Sequence, residues 1–451
     1  MERVHAVVLA AGKGKRMNSD LPKVLHPLCG RPLIAHVLTL LSDAGVDDPV
    51  VVIGQGADGV RAVVGSRGRC VEQREQLGTG HAAVQALPLL AEASGPVLVV
   101  YGDTPLLRPD TLHALLDRRR EAGAAVAMLT TDADDPAGYG RVLRDESGHV
   151  ARIVEDADAA GDDARVKEIN AGTYAFAPDA LRAALAALTP DNAQHEYYLT
   201  DTIGWLLARG ETVVAVKAPA EEAIGINSRR DLAAAEQVMR RRILERLMDD
   251  GVTIIDPAST YVHAGIPIGR DTVIHPQSFI EGVSSVGRRC TLGPHSRLND
   301  ATVADDVAVV ASTVSGSSIG EGTRIGPYSH LRPGTRVGAH VAIGNYAEMK
   351  NSVIGDYTRV HHMSYLGDAT VGTRVNIGAG TVTVNYDGTH KHPTVIEDGA
   401  FIGSDTMLIA PVRVGRGAMT GAGSVVNKDV PDGAVVVGVP ARVIRHVTAD
   451  R

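Results

Sequence analysis

The sequence predicts two domains of different class joined by a helix: an α/β sheet domain over 1–227, a linker helix over 228–251 and a parallel β-helix over 252–451. Three observations predict this. Short apolar runs alternate with helix-like stretches through the first half. A polar, capped segment of helical character follows. Beyond it, one aliphatic residue recurs at every sixth position, often with glycine directly after it. With 451 residues, at ~150 per domain, the chain has length for two or three such units.

In chain order, Val4 to Ala10, Val50 to Ile53, Val97 to Tyr101 and Ala124 to Leu129 read as buried strands, with helices such as Pro32 to Ser42 and Thr111 to Glu121 between them. Continuous apolar strands alternating with helices imply a sheet covered on both faces. Such sheets bind ligands beyond the carboxyl ends of their strands, so the loops after Ala10 and Tyr101 are where chemistry is expected. Ser228 and Asp231 form a capping-box pattern, and Gly251 is a stop signal. The arginines between them read as a solvated helix face.

The period then changes. Val262, Ile268, Ile274, Ile280, Val286, Leu292 and Leu298 are six apart, and after a reset so are Ile319, Ile325, Leu331, Val337, Ile343 and Met349. The series continues through Ile354, Val360 and Leu366, and later through Ile396, Ile402, Leu408 and Val414. A period of six is neither helix nor isolated strand; it is the hexapeptide signature of a parallel β-helix. One aliphatic per repeat points to the axis, and glycine is expected to permit the tight turn between short strands.

Composition excludes several classes. Lys and Arg total 45 against 53 Asp and Glu, a net charge of −8, so the basic excess of a general nucleic-acid binder is lacking. Aromatics are 3% of residues, too few for base-stacking platforms. Cys29, Cys70 and Cys290 are far apart, which argues against a disulfide framework and fits a reducing compartment. No apolar run reaches the ~18 residues of a membrane span, and the first residues enter a strand pattern with no signal-peptide core. A cytoplasmic location is expected.

In the first domain, Leu9-Ala10-Ala11-Gly12-Lys13-Gly14-Lys15-Arg16-Met17 follows the first strand, and Pro22-Lys23 comes shortly after. It is neither a P-loop nor a dinucleotide fingerprint. A glycine-rich turn with Arg16 and Lys23 close behind is what a triphosphate requires. This run resembles the sugar-nucleotide pyrophosphorylases, with their LAAGxGxRM and PK motifs. The resemblance extends through Gln76 to Gly80, Tyr101-Gly102-Asp103, Gly138 to Arg141, Glu155, Glu168-Ile169-Asn170 and Gly225-Ile226-Asn227. It implies a Rossmann-like nucleotidyltransferase fold. It also implies that Leu9, Ala10, Ala11, Gly12, Gln73, Gly78 and Thr79 hold the uridine of UTP, and Gly140, Glu155 and Asn170 the sugar. Tyr101, Gly102, Asp103 and Asn227 would also contact the nucleotide or UDP-sugar, Asp103 with Asn227 binding Mg²⁺, while Arg16 and Lys23 neutralise the leaving pyrophosphate.

In the second domain three hexapeptides make one coil, so residues 18 apart stack. Arg332 and Lys350 are so related, and two stacked cations repel unless an anion bridges them. A bound phosphate is the sharper reading and splayed, solvated side chains the plainer one. Ser404 and Ala422 are likewise 18 apart. His361-His362 precedes Ser364-Tyr365-Leu366-Gly367-Asp368, and histidine titrates near neutrality, as a general base must. Val382 to Pro393 breaks the phase, since Ile396 falls one position later than the hexapeptide period from Ile377 would place it; an excursion of this kind marks a functional loop. His390 and His392 in it read as exposed loop histidines before metal ligands.

Together with Leu331 to Gly334, Glu348 to Asn351, Asn376 to Thr381 and Asn385 to Gly388, these motifs resemble the bacterial bifunctional N-acetylglucosamine-1-phosphate uridylyltransferase/glucosamine-1-phosphate N-acetyltransferases over nearly the whole chain. That resemblance implies a left-handed β-helix, a homotrimer and acetyltransferase sites between subunits. It implies acetyl transfer from acetyl-CoA to glucosamine 1-phosphate, then uridylyl transfer from UTP to N-acetylglucosamine 1-phosphate, feeding cell-wall synthesis. His362 would be the base and Glu348 its orienting partner. Arg332, Lys350, Tyr365 and Asn376 would hold glucosamine 1-phosphate. Ala379, Asn385, Tyr386, Ser404 and Ala422 would line the acetyl-CoA site. The family's basic residue near the end of the β-helix has no match in Val437-Gly438-Val439-Pro440; Arg442 and Arg445 just beyond are the candidates for it.

Two other readings compete. A single-activity sugar nucleotidylyltransferase with a structural β-helix has no use for Arg332, Lys350 and His362 together. A non-enzymatic assembly protein has no use for Arg16, Lys23 and Asp103 either.

Overall fold

A computed structural model of the chain describes residues 2–54, 57–223 and 225–447. Two compact units divide it, Met1–Met239 and Arg240–Arg451. The division falls inside the expected linker helix, which runs Arg229–Asp249. The capping box is reciprocal, with Ser228 N donating to Asp231 Oδ2 at 2.8 Å and Asp231 N to Ser228 Oγ at 3.2 Å.

The first unit is built on one sheet in the order Val213–Lys217, Val126–Asp132, Glu168–Phe176, Val97–Tyr101, His5–Ala10, Val50–Gly54, Arg69–Gln73. Only Glu168–Phe176 runs antiparallel along this path, and the hairpin Arg141–Arg144/Val150–Val154 pairs onto it. The strand alternation follows from helices on both faces. Ala6, Val8 and Ala10 face one core with Ile34, Val37 and Leu41 of the helix Leu33–Asp43. Val7, Leu9 and Ala11 face the other with Ala82, Ala83 and Ala86 of the helix Thr79–Ala86. Each fully buried aliphatic contributes about 1.5–3 kcal/mol, so strand and helix lock together on both sides. From His5–Ala10 the chain first adds strands on one side and then crosses to Val97–Tyr101 on the other. The carboxyl ends of these two strands flank the switch point, where ligands bind in such sheets.

Among the described residues the second unit is a coil of three sheets with 12, 10 and 8 strands, most of two or three residues and all parallel but for the closing strand of the first. The periodic aliphatics stack along its axis: Leu331 pairs with Met349, Ile343 with Val360 and Val337 with Ile354, all buried. Coil length is not constant. Leu298 pairs with Val314, short of three full hexapeptides, which is why the sequence phase resets. Ile377 pairs with Ile402, while Ile396 lies on a different sheet as the partner of Val371. The excursion before Pro393 is therefore longer than the slip of one position in the sequence implies. A closing antiparallel hairpin, Ala434–Gly438 with Ala441–His446, carries Arg442 and Arg445.

The hexapeptide glycines act differently from expectation. Of Gly269, Gly287, Gly320, Gly326, Gly338, Gly344, Gly355, Gly403 and Gly415, Gly326 alone has positive φ; turn positions are filled instead by residues such as Asp271, Arg289, Asp306, His340, Tyr357 and Arg374. What these glycines provide is closeness between coils: a Cβ on Gly320 would lie within 2.5 Å of the Gly338 carbonyl oxygen. Among the described residues no helix is long and apolar enough to cross a membrane.

Candidate functional sites

Beyond the switch point of the first unit lies an open cavity of about 860 Å³. Leu9 to Gly12, Arg16, Lys23, Gln73, Gly78, Thr79, Tyr101, Asp103, Gly140, Glu155, Asn170 and Asn227 all line it. Gly102 does not; it is buried, and its N–H donates to the Leu9 carbonyl at 2.9 Å, fixing the two strand ends together. At one end of the cavity Lys23 Nζ is held between Asp103 Oδ2 and Asn227 Oδ1, the latter at 3.1 Å. Two hard oxygens from distant segments therefore converge on one cation. That donor set fits Mg²⁺, whose remaining ligands would be phosphate oxygens and water.

At the other end Gly140, Glu155 and Asn170 meet. Asn170 N donates to the Gly140 carbonyl at 2.8 Å, and Thr200 Oγ1 to Glu155 Oε1 at 2.6 Å. Burial pushes the Glu155 carboxyl upward, only partly offset by the Thr200 hydrogen bond. Asn170 is aimed by a bulge in its strand, between Asn170 and Tyr174, where Gly172 takes φ of 70° against the Tyr101 ring. Its amide donates to Tyr174 Oη at 2.6 Å, and its oxygen accepts from Gly172 N at 3.2 Å. Gln73 Nε2 donates to the Gly78 carbonyl at 3.0 Å, and Thr79 Oγ1 accepts from Leu199 N at 3.0 Å. Asp201, near Glu155 and Asp158, has its carboxyl pushed up to about 6 by burial and by those two charges.

In the second unit, Arg332 and Lys350 follow the paired Leu331 and Met349 and so stand on adjacent coils. A third cation that sequence reasoning missed joins them. Lys391, from the excursion, lies close enough to Lys350 for the repulsion between the two to lower the Lys350 pKa, with Arg332 adding to the effect. The phase break at Val382 to Pro393 was the one signal for it, and a lysine between two histidines carries no further mark of its own. Among the described residues no group of three or more His, Cys, Asp or Glu could hold a metal, and His392 is bonded instead to Asp387 Oδ2 at 2.7 Å. Asp387 also accepts from Thr389 N and His390 N, each at 2.7 Å, and these bonds hold its carboxyl down at about 2. Asn385 Nδ2 donates to Asp368 Oδ2 at 2.6 Å, tying the base of the excursion to the coil.

His362 ends its strand at a corner of the coil, paired with Asn345. The same corner continues through later coils. Gly380 N donates to the His362 carbonyl, Asp405 N to the Ala379 carbonyl and Gly423 N to the Ser404 carbonyl. His362, Ala379, Ser404 and Ala422 therefore lie along one edge, with Asn376 on the strand leading to it. Tyr365 pairs with Glu348 on the sheet that carries Arg332 and Lys350. Glu348 itself accepts from Arg332 Nη1 at 2.8 Å through Oε1.

Residues 6–202 match the model of the MobA-like NTP transferase domain family. Residues 316–351 and 393–428 match the bacterial transferase hexapeptide family, whose repeats build left-handed parallel β-helices. A protein of Heliobacterium modesticaldum named "Bifunctional protein GlmU" is 52% identical over 438 residues, covering 97% of this chain and 96% of its own. Proteins of the same name from Geobacillus sp. and Exiguobacterium sibiricum are 47% and 49% identical, covering 100% and 96% of this chain and 98% and 96% of their own.

Proposed function

Since the chain belongs to the family of bifunctional GlmU proteins, we propose that its two units perform the two consecutive transfers that make UDP-N-acetylglucosamine. The β-helix transfers acetyl from acetyl-CoA to glucosamine 1-phosphate. The α/β unit then transfers uridylyl from UTP to N-acetylglucosamine 1-phosphate.

For acetyl transfer, Arg332, Lys350 and Lys391 receive the sugar phosphate, while Tyr365 and Asn376 contact the ring. Glu348 positions Arg332. His362 takes a proton from the 2-ammonium group, and the freed amine attacks the thioester carbonyl. The C–S bond breaks, and the CoA thiolate leaves and is protonated. Ala379, Asn385, Tyr386, Ser404 and Ala422 line the CoA path along the coil corner, with Arg442 and Arg445 toward its end. The sites form between subunits of a homotrimer.

For uridylyl transfer, the loop Leu9 to Gly12 with Gln73, Gly78 and Thr79 seats the uridine. Gly140, Glu155 and Asn170 seat the sugar. A phosphate oxygen of N-acetylglucosamine 1-phosphate attacks the α-phosphorus in line, and the bond to pyrophosphate breaks. Arg16 and Lys23 neutralise the charge that collects on the leaving group, so catalysis is positioning and electrostatics. Asp103 and Asn227 would hold Mg²⁺, which supplies further neutralisation across the phosphate oxygens. Lys23, bonded to both Asp103 and Asn227, stands beside the same phosphates.

One observation carries the bifunctional reading over a nucleotidyltransferase with a structural β-helix. Three cations, Arg332, Lys350 and Lys391, are crowded at one point of the coil, with Lys350 already depressed by its neighbours. A scaffold gains nothing from such repulsion; a phosphate site does. The test is His362→Ala and Asp103→Ala, each assayed for both reactions. Each variant is expected to lose one activity and keep the other. Full acetyl transfer in the histidine variant, or equal loss of both reactions in the aspartate variant, would refute the assignment.

A further inference from the structure

We propose that Arg229 and Asp231, in the first turn of the helix Arg229–Asp249, are positioning residues of the uridylyl-transfer site. They hold the turn after Arg16, the turn after Lys23 and the Asn227 segment in register. The inference rests on the reading of the first unit as the uridylyltransferase.

Arg16 and Lys23 sit on two short 3₁₀ turns, Lys15–Met17 and Lys23–Leu25, with nothing regular between them. Arg229 spans both: its Nε is 3.3 Å from the Met17 carbonyl oxygen and its Nη1 is 3.2 Å from His26 Nδ1. His26 closes the second turn, its N–H donating to the Lys23 carbonyl at 3.2 Å. His26 is buried, and accepting from a guanidinium requires its neutral form; burial and the Arg229 charge both favour that form. Two residues before Arg229, Asn227 offers Oδ1 to Lys23 Nζ at 3.1 Å. Asp231 Oδ2 fixes that segment by accepting from Asn227 N at 3.0 Å and Ser228 N at 2.8 Å.

The first helical turn thus hydrogen-bonds to all three segments that carry the phosphate-facing groups, whereas Glu155 and Asn170 are bonded to Thr200, Tyr174, Gly172 and Gly140. A guanidinium is suited to this because its rigid fork presents Nε and Nη1 donors from separate atoms, one to each loop; an ammonium presents all its donors from a single nitrogen. An ordinary helix start needs only a cap. It does not need an arginine tied to two loops more than 200 residues earlier.

The experiment uses the full chain with Arg229→Met, Arg229→Lys, Asp231→Ala and Asp231→Glu, and Arg16→Ala alone and combined with Arg229→Met. Uridylyl-transfer kcat and KM, acetyl-transfer rate and the unfolding transition of Trp205 are measured on the same preparations. Because a 1 Å displacement of a reacting group costs up to ~100-fold, R229M is expected to lose about 10- to 100-fold in uridylyl kcat. Its KM for N-acetylglucosamine 1-phosphate should stay within about twofold, since a positioning defect at the phosphates leaves sugar binding alone. R229K should recover part of the loss and D231E most of that caused by D231A. Acetyl transfer should be unchanged. Arg16→Ala should cost less on the R229M background than alone, as coupled residues do.

Folded R229M with wild-type uridylyl kcat would overturn the proposal. So would a loss accounted for by the fraction unfolded, or full additivity with Arg16→Ala. If the unaltered chain forms no UDP-sugar, the functional reading fails instead, a distinguishable result.

Discussion

Gly172→Ala tests how the sugar end of the α/β cavity is aimed. The glycine sits in the bulge at φ of 70°, and a Cβ there would lie 2.7 Å from Tyr101 Cε2 and 2.9 Å from Cδ2. A left-handed conformation costs an L-residue about 1–2 kcal/mol. Displacing a packed ring costs about 1–3 kcal/mol more. The stiffer unfolded chain returns about 0.4–1 kcal/mol. The net expectation is a destabilisation of about 2–4 kcal/mol, which at ~2–3 kcal/mol per molar of urea lowers the midpoint by about 1 M. The protein has 1 tryptophan, Trp205, and it lies in the first unit, so its fluorescence reads that unit's transition without the β-helix. Moving Tyr101 or relaxing the bulge also turns Asn170 away, because its oxygen is held by Gly172 N and its amide by Tyr174 Oη. The KM for N-acetylglucosamine 1-phosphate should rise by about tenfold, the effect of losing one sugar hydrogen bond at ~1.4 kcal/mol. Acetyl transfer should not change. A midpoint shift under about 0.3 M with unaltered KM would mean that the strand accepts a side chain here, and the argument from the bulge would be wrong.

Two further outcomes follow from electrostatics. A carboxyl whose folded pKa is raised contributes stability while protonated and loses it as pH rises through that value, so Asp201 weakens the first unit as pH passes from about 4 to about 6. Asp201→Asn should flatten that part of the pH–stability curve relative to the unaltered chain and stabilise the unit at pH ~7.5 by about 1 kcal/mol, a value reduced for solvent screening because the carboxyl is only half-buried. The Trp205 urea midpoint across pH reads both. Lys391→Gln should let the Lys350 pKa rise, measured by NMR titration of its side chain, and should raise the KM for glucosamine 1-phosphate while leaving uridylyl transfer intact. A Lys350 titration unmoved by the substitution would remove Lys391 from the cation cluster.

The α/β unit was legible because its signals are local. Short apolar runs gave Val97–Tyr101 at its observed limits and His5–Ala10 within one residue. Ser228 and Asp231 gave the helix start through a bond pattern that depends on spacing alone. The strand that runs antiparallel, Glu168–Phe176, was not legible, because direction is set by connections and not by composition. Nor was the bulge at Gly172: a lone glycine in a strand fits several backbones, and only the Tyr101 ring beside it selects this one. The cavity residues came from motif resemblance, while the bonds that hold them, such as Thr200 to Glu155 and Arg229 to His26, join positions with no sequence relation.

The β-helix shows the opposite balance. Where its period holds, register could be read directly, and Arg332 stacks beside Lys350 as a spacing of three hexapeptides requires. Yet the same strictness misled where function departs from repetition. The excursion looked one position out of phase, while the coil there runs on from Ile377 to Ile402 and brings Lys391 back against Lys350. Glu348 shows a related limit. The resemblance offered it only as a partner for His362, and its bond to Arg332, across adjacent coils, was not read from the sequence. A repeat specifies where each coil lies because every coil solves the same packing problem. It cannot specify a loop that escapes the packing. In this chain that loop carries Lys391, which joins two cations that the repeat does place, Arg332 and Lys350.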